Sequence, residues 1–246
     1  MSIQVGFAGN NGYHCNGQKL ATAHRGLLLD KYMGVKEGTK DNRLPQWRGL
    51  CEPGLSPGVY KLAFERWKNW TKTLAHGVRF TGRIRGRMAL GLGIETAQEI
   101  GCRLHATYGT PIIPGSSLKG MLRAGLLQMP AYEKHVSTLF GTNDSAGRVI
   151  VFDAWWMPDG RTSGLAPDVI TVHHQQYYSG NGAPADRESP IPNHFLTVTG
   201  SFYFTFQAPD GWEAFVRKAA QHFLAEHGIG AKRSSGYGRF ESFGEG

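Results

Sequence analysis

From residue 78 onward the chain switches between two hydrophobic periods. In "VRFTGRIRGRMAL" (78–90) the period is two: Phe80, Ile84 and Met88 share one side, and Arg79, Arg83, Arg85 and Arg87 share the other. That pattern predicts a strand with an apolar face and a basic face. A nucleic-acid-facing sheet needs such a strand, and a solvated edge strand has the same pattern. From about Ser117 to Met129 the period becomes helical, with Leu118, Met121, Leu122 and Leu126 as the apolar stripe. "GRVIVFDAWW" (147–156) is a β-branched and aromatic run that predicts a buried strand. Residues 157–194, rich in Pro, Gly, His and Tyr, predict a long loop or hairpin. "FLTVTGSFYFTF" (195–206) predicts a strand with Phe202, Phe204 and Phe206 in alternation. "GWEAFVRKAAQHFLAEHG" (211–228) predicts an amphipathic helix with the stripe Trp212, Phe215, Val216, Ala219 and Phe223, stopped by Gly228. "GYGRFESF" (236–243) predicts a last short strand.

The order from residue 78 is therefore β-α-β-β-α-β. This is the split βαβ, ferredoxin-like order of an α+β fold, and also the layout of RNA-recognition (RRM-like) sheet domains. Such an order hosts many activities and assigns none. Residues 1–77 are expected to form an N-terminal helical extension packing on the core, and 78–246 the ferredoxin-like domain, with an insertion at about 160–194. Within the extension, "HRGLLLDKYM" (24–33) and "PGVYKLAFERWKNWTKTLAH" (57–76) are helical patches. In the second, Val59, Ala63, Trp67, Trp70 and Leu74 recur at helical spacing, with Pro57 near the first turn, and are expected in the core.

Charge and cysteine content narrow the partners and the compartment. The 246 residues contain 27 Lys plus Arg against 19 Asp plus Glu, a net charge of +8, which suits a polyanionic partner. Cys15, Cys51 and Cys102 are far apart and form no CxxC pair, so neither a disulfide framework nor a zinc cluster is indicated. No signal-peptide pattern and no membrane-spanning run is read in the sequence, and a cytoplasmic protein is expected.

The chemistry concentrates in two glycine-bearing segments. In "GTPIIPGSSLKGMLRAGLL" (109–127), Pro114 and Gly115 make a turn and Ser116 or Ser117 can cap the helix. The first helical amides have no partner within the helix and carry partial positive charge, which suits an anion. Lys119 adds a point charge, and Arg123 lies one turn on, on the same face. The order of lysine and glycine in "GSSLKG" is not that of a Walker loop, so a polymer phosphate fits better than a nucleotide. In "GIGAKRSSGYGRF" (228–240), glycines permit close backbone approach; Lys232, Arg233, Ser234 and Ser235 supply donors, and Tyr237 supplies a face for an unpaired base.

Together these segments resemble the RAMP superfamily, the RNA-binding proteins of CRISPR effector complexes. "PIIPGSSLKGMLR" is similar to its signature helix and "GIGAKRSSGYGRF" to its C-terminal glycine-rich loop. "GLGIETAQEIGCRLHATYGTPIIPGSSLKG", "FDAWW", "DVITVHHQQYY" and "PIPNHFLTVTGSFYF" resemble the sixth, Cmr-type subunit family of type III-B complexes. The resemblance implies a subunit that binds guide RNA toward its 3′ part. It would meet guide RNA, target RNA, the repeated backbone RAMP subunit, the small helical subunit and the other capping RAMP subunit. By match, Gly115, Ser116, Ser117, Lys119, Arg123, Lys232, Arg233 and Ser234 would lie on the guide backbone. Residues 168–194 occupy the place of the β-hairpin thumb, where Gln176, Tyr177 and Tyr178 are the wedge candidates.

The resemblance also bears on catalysis. Sibling backbone subunits cut RNA with an aspartate in the loop ahead of the serine-rich helix. Here that loop (91–110) contains Glu95, Glu99 and His105 and no aspartate, so a non-catalytic subunit is expected. Adjacent His173 and His174 would face opposite sides of a strand, and His14, Cys15 and His24 lack metal-ligand spacing, so no metal or other cofactor is expected. Two further readings stay open: a RAMP endoribonuclease processing guide RNA through a histidine such as His105 or His174, and a stand-alone single-strand RNA-binding protein.

Overall fold

The computed structural model describes residues 24–32, 43–51, 58–94, 101–172, 180 and 191–246. Six helices and eight strands are described: α1 (Arg25–Leu27, running into a π turn at Leu28–Tyr32), α2 (Arg43–Leu50), α3 (Gly58–Thr71), β1 (Gly77–Ile84), β2 (Ile112–Ile113), α4 (Gly115–Leu127), α5 (Glu133–Phe140), β3 (Ile150–Val151), β4 (Ala154–Trp156), β5 (Leu165–Val172), β6 (Ile191–Val198), β7 (Ser201–Gln207), α6 (Glu213–Glu226) and β8 (Phe240–Glu245). The fold is mixed α+β. Its main sheet is antiparallel in the order β2-β4-β7-β1-β8, with β3 also paired to β7. No described helix is long and apolar enough to cross a membrane.

Alternation along β1 and β7 builds the core. Phe80 stands opposite Phe204 in register, so Val78, Phe80, Ile84, Phe202, Phe204 and Phe206 all fall on one side. All six are buried in one cluster with Leu118, Leu122 and Leu126 of α4 and Phe223 and Leu224 of α6. The expected α4 stripe is buried in full. Helix α6 buries Val216, Ala220, Phe223 and Leu224, while Trp212, Phe215 and Ala219 are only half-covered. Gly228, at φ +67°, follows its C-cap, and its amide donates to the Phe223 carbonyl, as a helix-stopping glycine should.

Strand β1 lies between β7 and β8, so its basic side is not that of a solvated edge strand, and that side is only partly open. Helix α3 covers part of it: Phe64 meets Tyr203 edge-on at 6.0 Å, and the Thr71 and Tyr203 hydroxyls are 3.1 Å apart. Arg79 donates to the Thr71 carbonyl at 2.8 Å, closing the C-terminal turn of α3. Arg85 and Arg87 lie beyond the end of β1. The buried stripe of α3 is Tyr60, Phe64 and Thr71. Of the residues expected in the core, Val59 and Trp70 are exposed. Both faces of α3 carry apolar residues at helical spacing, and contact with Tyr203 selects between them.

Two expected strands are each divided. Residues 195–206 form the end of β6 and most of β7, in different sheets. The break is at Gly200, φ +95°, where an added Cβ would lie 2.8 Å from Trp156 Nε1. Residues 147–156 form β3 and β4. Val151 pairs with Phe206 and Trp155 with Tyr203, four steps along one strand against three along the other, so one extra residue is inserted between them. This is a β-bulge at Phe152–Asp153. Strands β5 and β6 form a separate two-stranded ribbon, paired from Leu165↔Val198 to Val172↔Ile191. Helix α2, unforeseen because Pro45 interrupts its pattern, packs on this ribbon.

Candidate nucleic-acid interface

The mouth of α4 is built by the bulge. Helix α4 begins at Gly115, two residues earlier than the sequence pattern predicts, with Pro114 as N-cap at φ −59°, ψ 136° and no side-chain cap. Neither Ser116 nor Ser117 caps it, because a residue inside the helix cannot serve as its N-cap. A Cβ on Gly115 would stand 2.4 Å from the Val151 carbonyl oxygen, so glycine is required by contact with the sheet. The bulge turns Asp153 toward the helix, and its carboxylate accepts a 2.7 Å hydrogen bond from the Gly115 amide. The expected anion seat thus already holds an anion of the chain itself. The groups left facing solvent are Ser116, Ser117 and Arg123, with Lys119 half-exposed.

His105 lies close to this mouth. Its ring centroid is 4.7 Å from that of Tyr108 and 5.1 Å from that of Trp155. Its Nδ1 accepts from the Thr107 amide at 3.1 Å, which braces the 104–110 loop. Burial lowers its pKa; the nearby Asp153 charge opposes this and His24 adds to it, so the net shift is downward. At neutral pH the ring is therefore uncharged.

The glycine-rich segment forms a second site. Gly228, Gly230, Gly236 and Gly238 all have positive φ, and so does Lys232 at φ 57°. A Cβ on Gly238 would sit 1.9 Å from the Ile229 oxygen. Lys232, Arg233, Ser234 and Ser235, the last three in a 3₁₀ turn, are exposed. Tyr237 is half-buried: its ring centroid is 6.0 Å from that of Phe195, and its hydroxyl donates to Asp168 Oδ2 at 2.9 Å. The Tyr237 pKa is raised, by burial first and then by Asp168. Arg87 pairs with the same Asp168 oxygen at 3.3 Å and donates to the Pro167 carbonyl. The loop, the end of β1 and the ribbon therefore meet around one acid. An open cleft of about 270 Å³, lined by Arg85, Arg87, Asp168, Ser235 and Tyr237, lies there.

The two basic segments occupy different places: the α4 mouth adjoins β3 and β4, and the glycine loop adjoins β1 and β5. Arg85, Arg87 and Asp168 join the second site unforeseen. The arginines were legible only as one side of a strand, and an aspartate 69 residues from Tyr237 has no local signature. Glu95, Glu99, His173, His174, Gln176, Tyr177 and Tyr178 lie outside the described residues. Among the described residues, one group brings three possible metal ligands together, His76, Asp210 and Glu213, all at least partly exposed.

The chain and its fold have counterparts among known proteins. The Cmr6 subunit of the CRISPR Cmr system of Pyrococcus furiosus is 24% identical over 291 aligned positions, covering 91% of this chain and 84% of that protein. A chain in the cryo-EM structure of the type III-B Cmr-beta complex bound to cognate target RNA aligns with a TM-score of 0.67 at 20% identity, over 82% of this chain and 73% of that one. That likeness is one of fold. The RAMP superfamily profile matches residues 67–241, a span that takes in both the α4 mouth and the glycine-rich loop, and the chain belongs to this superfamily.

Proposed function

We propose that this chain is a guide-RNA-binding structural subunit of a type III-B CRISPR RNA-targeting effector complex, contacting the 3′ part of the guide and capping the backbone filament in the cytoplasm. The observation that carries the reading is the exposure of two donor sets on rigid supports. Ser116, Ser117, Lys119 and Arg123 stand on a helix whose apolar stripe is buried; Lys232, Arg233, Ser234 and Ser235 stand on a loop set by its glycines. Such groups hold phosphates without reading bases. The likeness to Cmr6 supports the type of complex. The strand order β4-β7-β1-β8, with α4 and α6 between successive pairs, supports a ferredoxin-like arrangement. The β5–β6 ribbon supports a thumb whose tip, with Gln176, Tyr177 and Tyr178, wedges the guide–target duplex. Its partners in this reading are the backbone RAMP subunit, the small helical subunit and the other capping subunit.

The subunit is non-catalytic in this reading. His105 is uncharged at neutral pH, its Nδ1 is engaged by Thr107, and it braces a loop. The test is RNA binding across salt concentrations with K119A/R123A and K232A/R233A. Each double variant should weaken binding to every RNA sequence alike and reduce the log–log salt slope by about 2. A changed sequence preference with an unchanged slope would refute the assignment. Cleavage by the assembled complex should keep every product band with H105A; loss of one band, with assembly intact, would make this subunit part of a cutting site.

A further inference from the structure

Four aromatic rings form a continuous stack from the interior to the surface beside the mouth of α4. Tyr60 lies on Trp155 at 5.9 Å and 9°, Trp155 on Trp67 at 5.4 Å and 9°, and Trp67 on Trp70 at 5.0 Å and 29°. Tyr60 is fully buried, Trp155 and Trp67 are half-buried, and Trp70 is 46% exposed. Phe152 fixes the outer end: it meets Trp70 edge-on at 5.6 Å and 84°, and Trp67 at 5.7 Å and 69°. The backbone carbonyl carbon of Phe152 is also what Gly115 packs against, 2.9 Å from where a Cβ would be. A single residue therefore separates the exposed indole from the first residue of α4.

We propose that Trp70 is a stacking platform for an unpaired base of the bound RNA, the base of a nucleotide whose backbone lies on Ser116, Lys119 and Arg123. This rests on the guide-binding reading above and extends it from phosphates to a base. An aromatic ring held between two others has no freedom to fold its exposed surface inward. Every base has a π-face, so a base adds to the stack without sequence selection. The surrounding charge suits a nucleic acid. Helix α3 contains Lys61, Arg66 and Lys68 against the single acid Glu65, and Arg66 lies one turn before Trp70 on the same face. The competing occupant is a partner subunit laid along α3, where Val59 (63%) and Leu62 (68%) are also exposed; the test separates the two.

The experiment compares the full chain with W70A, W70F and K119A/R123A, using labelled guide RNA and a set of the same RNA with one abasic position moved along it. W70A should weaken binding roughly 10-fold with an unchanged salt slope, and W70F should restore most of it. One abasic position should cost the wild type about the same factor and cost W70A nothing further. If K119A/R123A weakens binding while W70A stays within about two-fold and no abasic position matters, the stacking inference fails and the guide-binding reading stands. If W70A loses assembly with other Cmr-type subunits and keeps its RNA affinity, the face docks protein and the inference fails. If the wild type binds no RNA, alone or assembled, both fail. Should W70A not fold, photo-crosslinking of 5-iodouridine RNA to the wild type decides: an adduct on Trp70 supports the platform, and adducts confined to other residues overturn it.

Discussion

The Asp153 carboxylate accepts a 2.7 Å hydrogen bond from the Gly115 amide, so the mouth of α4 is already occupied by an acid of the same chain. The acid stabilises the helix start and repels a phosphate at once. Asp153→Asn keeps an oxygen acceptor for Gly115 and removes the charge. Its RNA affinity should rise about two- to five-fold at low salt, a Coulombic gain of under about 1 kcal/mol across a solvated gap, and the gain should vanish at high salt. Asp153→Ala also loses the charge-assisted bond, and its unfolding free energy should fall by about 1–2 kcal/mol. Salt-dependent binding isotherms and urea denaturation check both. Weaker RNA binding by the Asn variant would mean that the carboxylate helps to hold the ligand, through a cation or a 2′-hydroxyl.

Two glycines of α4 should respond oppositely to alanine. Gly115→Ala pushes a methyl to 2.4 Å from the Val151 oxygen, a backbone atom fixed by pairing with β7. Overpacking of this kind costs about 1–3 kcal/mol. Gly120 is exposed, has helical φ and has nothing within 4 Å of an added Cβ. Gly120→Ala should therefore stabilise by about 0.5–1 kcal/mol through helix propensity and the unfolded chain. Denaturation midpoints at equal m-value read the difference. If Gly115→Ala is neutral, the glycine is there for something other than packing.

These two sites mark where the sequence was legible. The apolar period of α4 and the Phe alternation of β7 gave their inward faces directly, since burial imposes both patterns, while the bounds of both elements came out differently. The start of α4 was misplaced because Ser116 and Ser117 resemble caps, whereas Pro114 and a bulge 38 residues downstream set the boundary. Helix α3 misled for a related reason: Tyr60–Phe64–Thr71 and Val59–Trp70 are both apolar at helical spacing, and only the sheet chooses. The exposed basic residues of both glycine segments were legible as a set. Asp168, which ties Tyr237 and Arg87 together, was not, because a lone acid in a strand becomes informative only through its distant partners.

The Asp168 junction should link the ribbon to the glycine-rich loop. Tyr237→Phe deletes the donor to Asp168 and keeps the ring against Phe195. It should cost about 1 kcal/mol of global stability. It should also raise amide exchange in residues 232–238 more than in β1. Asp168→Asn weakens the pairing with Arg87 as well, so its effect on loop exchange should be larger. The two variants together should be less than additive, because both act on one hydrogen bond. Full additivity in exchange-derived free energies would show that the loop and ribbon are held independently.

Acid stability should depend on the contact between the entry to β1 and the start of α6. His76 Nδ1 is 2.6 Å from Glu213 Oε1 and 3.5 Å from Asp210 Oδ1. The Glu213 carboxyl is held below its ordinary value, first by its own backbone amide at the start of α6 and then by the His76 hydrogen bond. A carboxyl depressed in the folded state binds its proton more readily when unfolded. Its contribution is therefore complete above the ordinary glutamate pKa of about 4.3. It is lost as pH falls through the lower, folded value. Glu213→Gln should leave stability little changed at pH 2–3, lower it at pH 5–7 and so flatten the acid limb of the thermal midpoint against pH. His76→Ala should remove only the part due to the imidazole. A Glu213→Gln profile parallel to the wild type from pH 2 to 7 would show that this carboxyl titrates alike in both states.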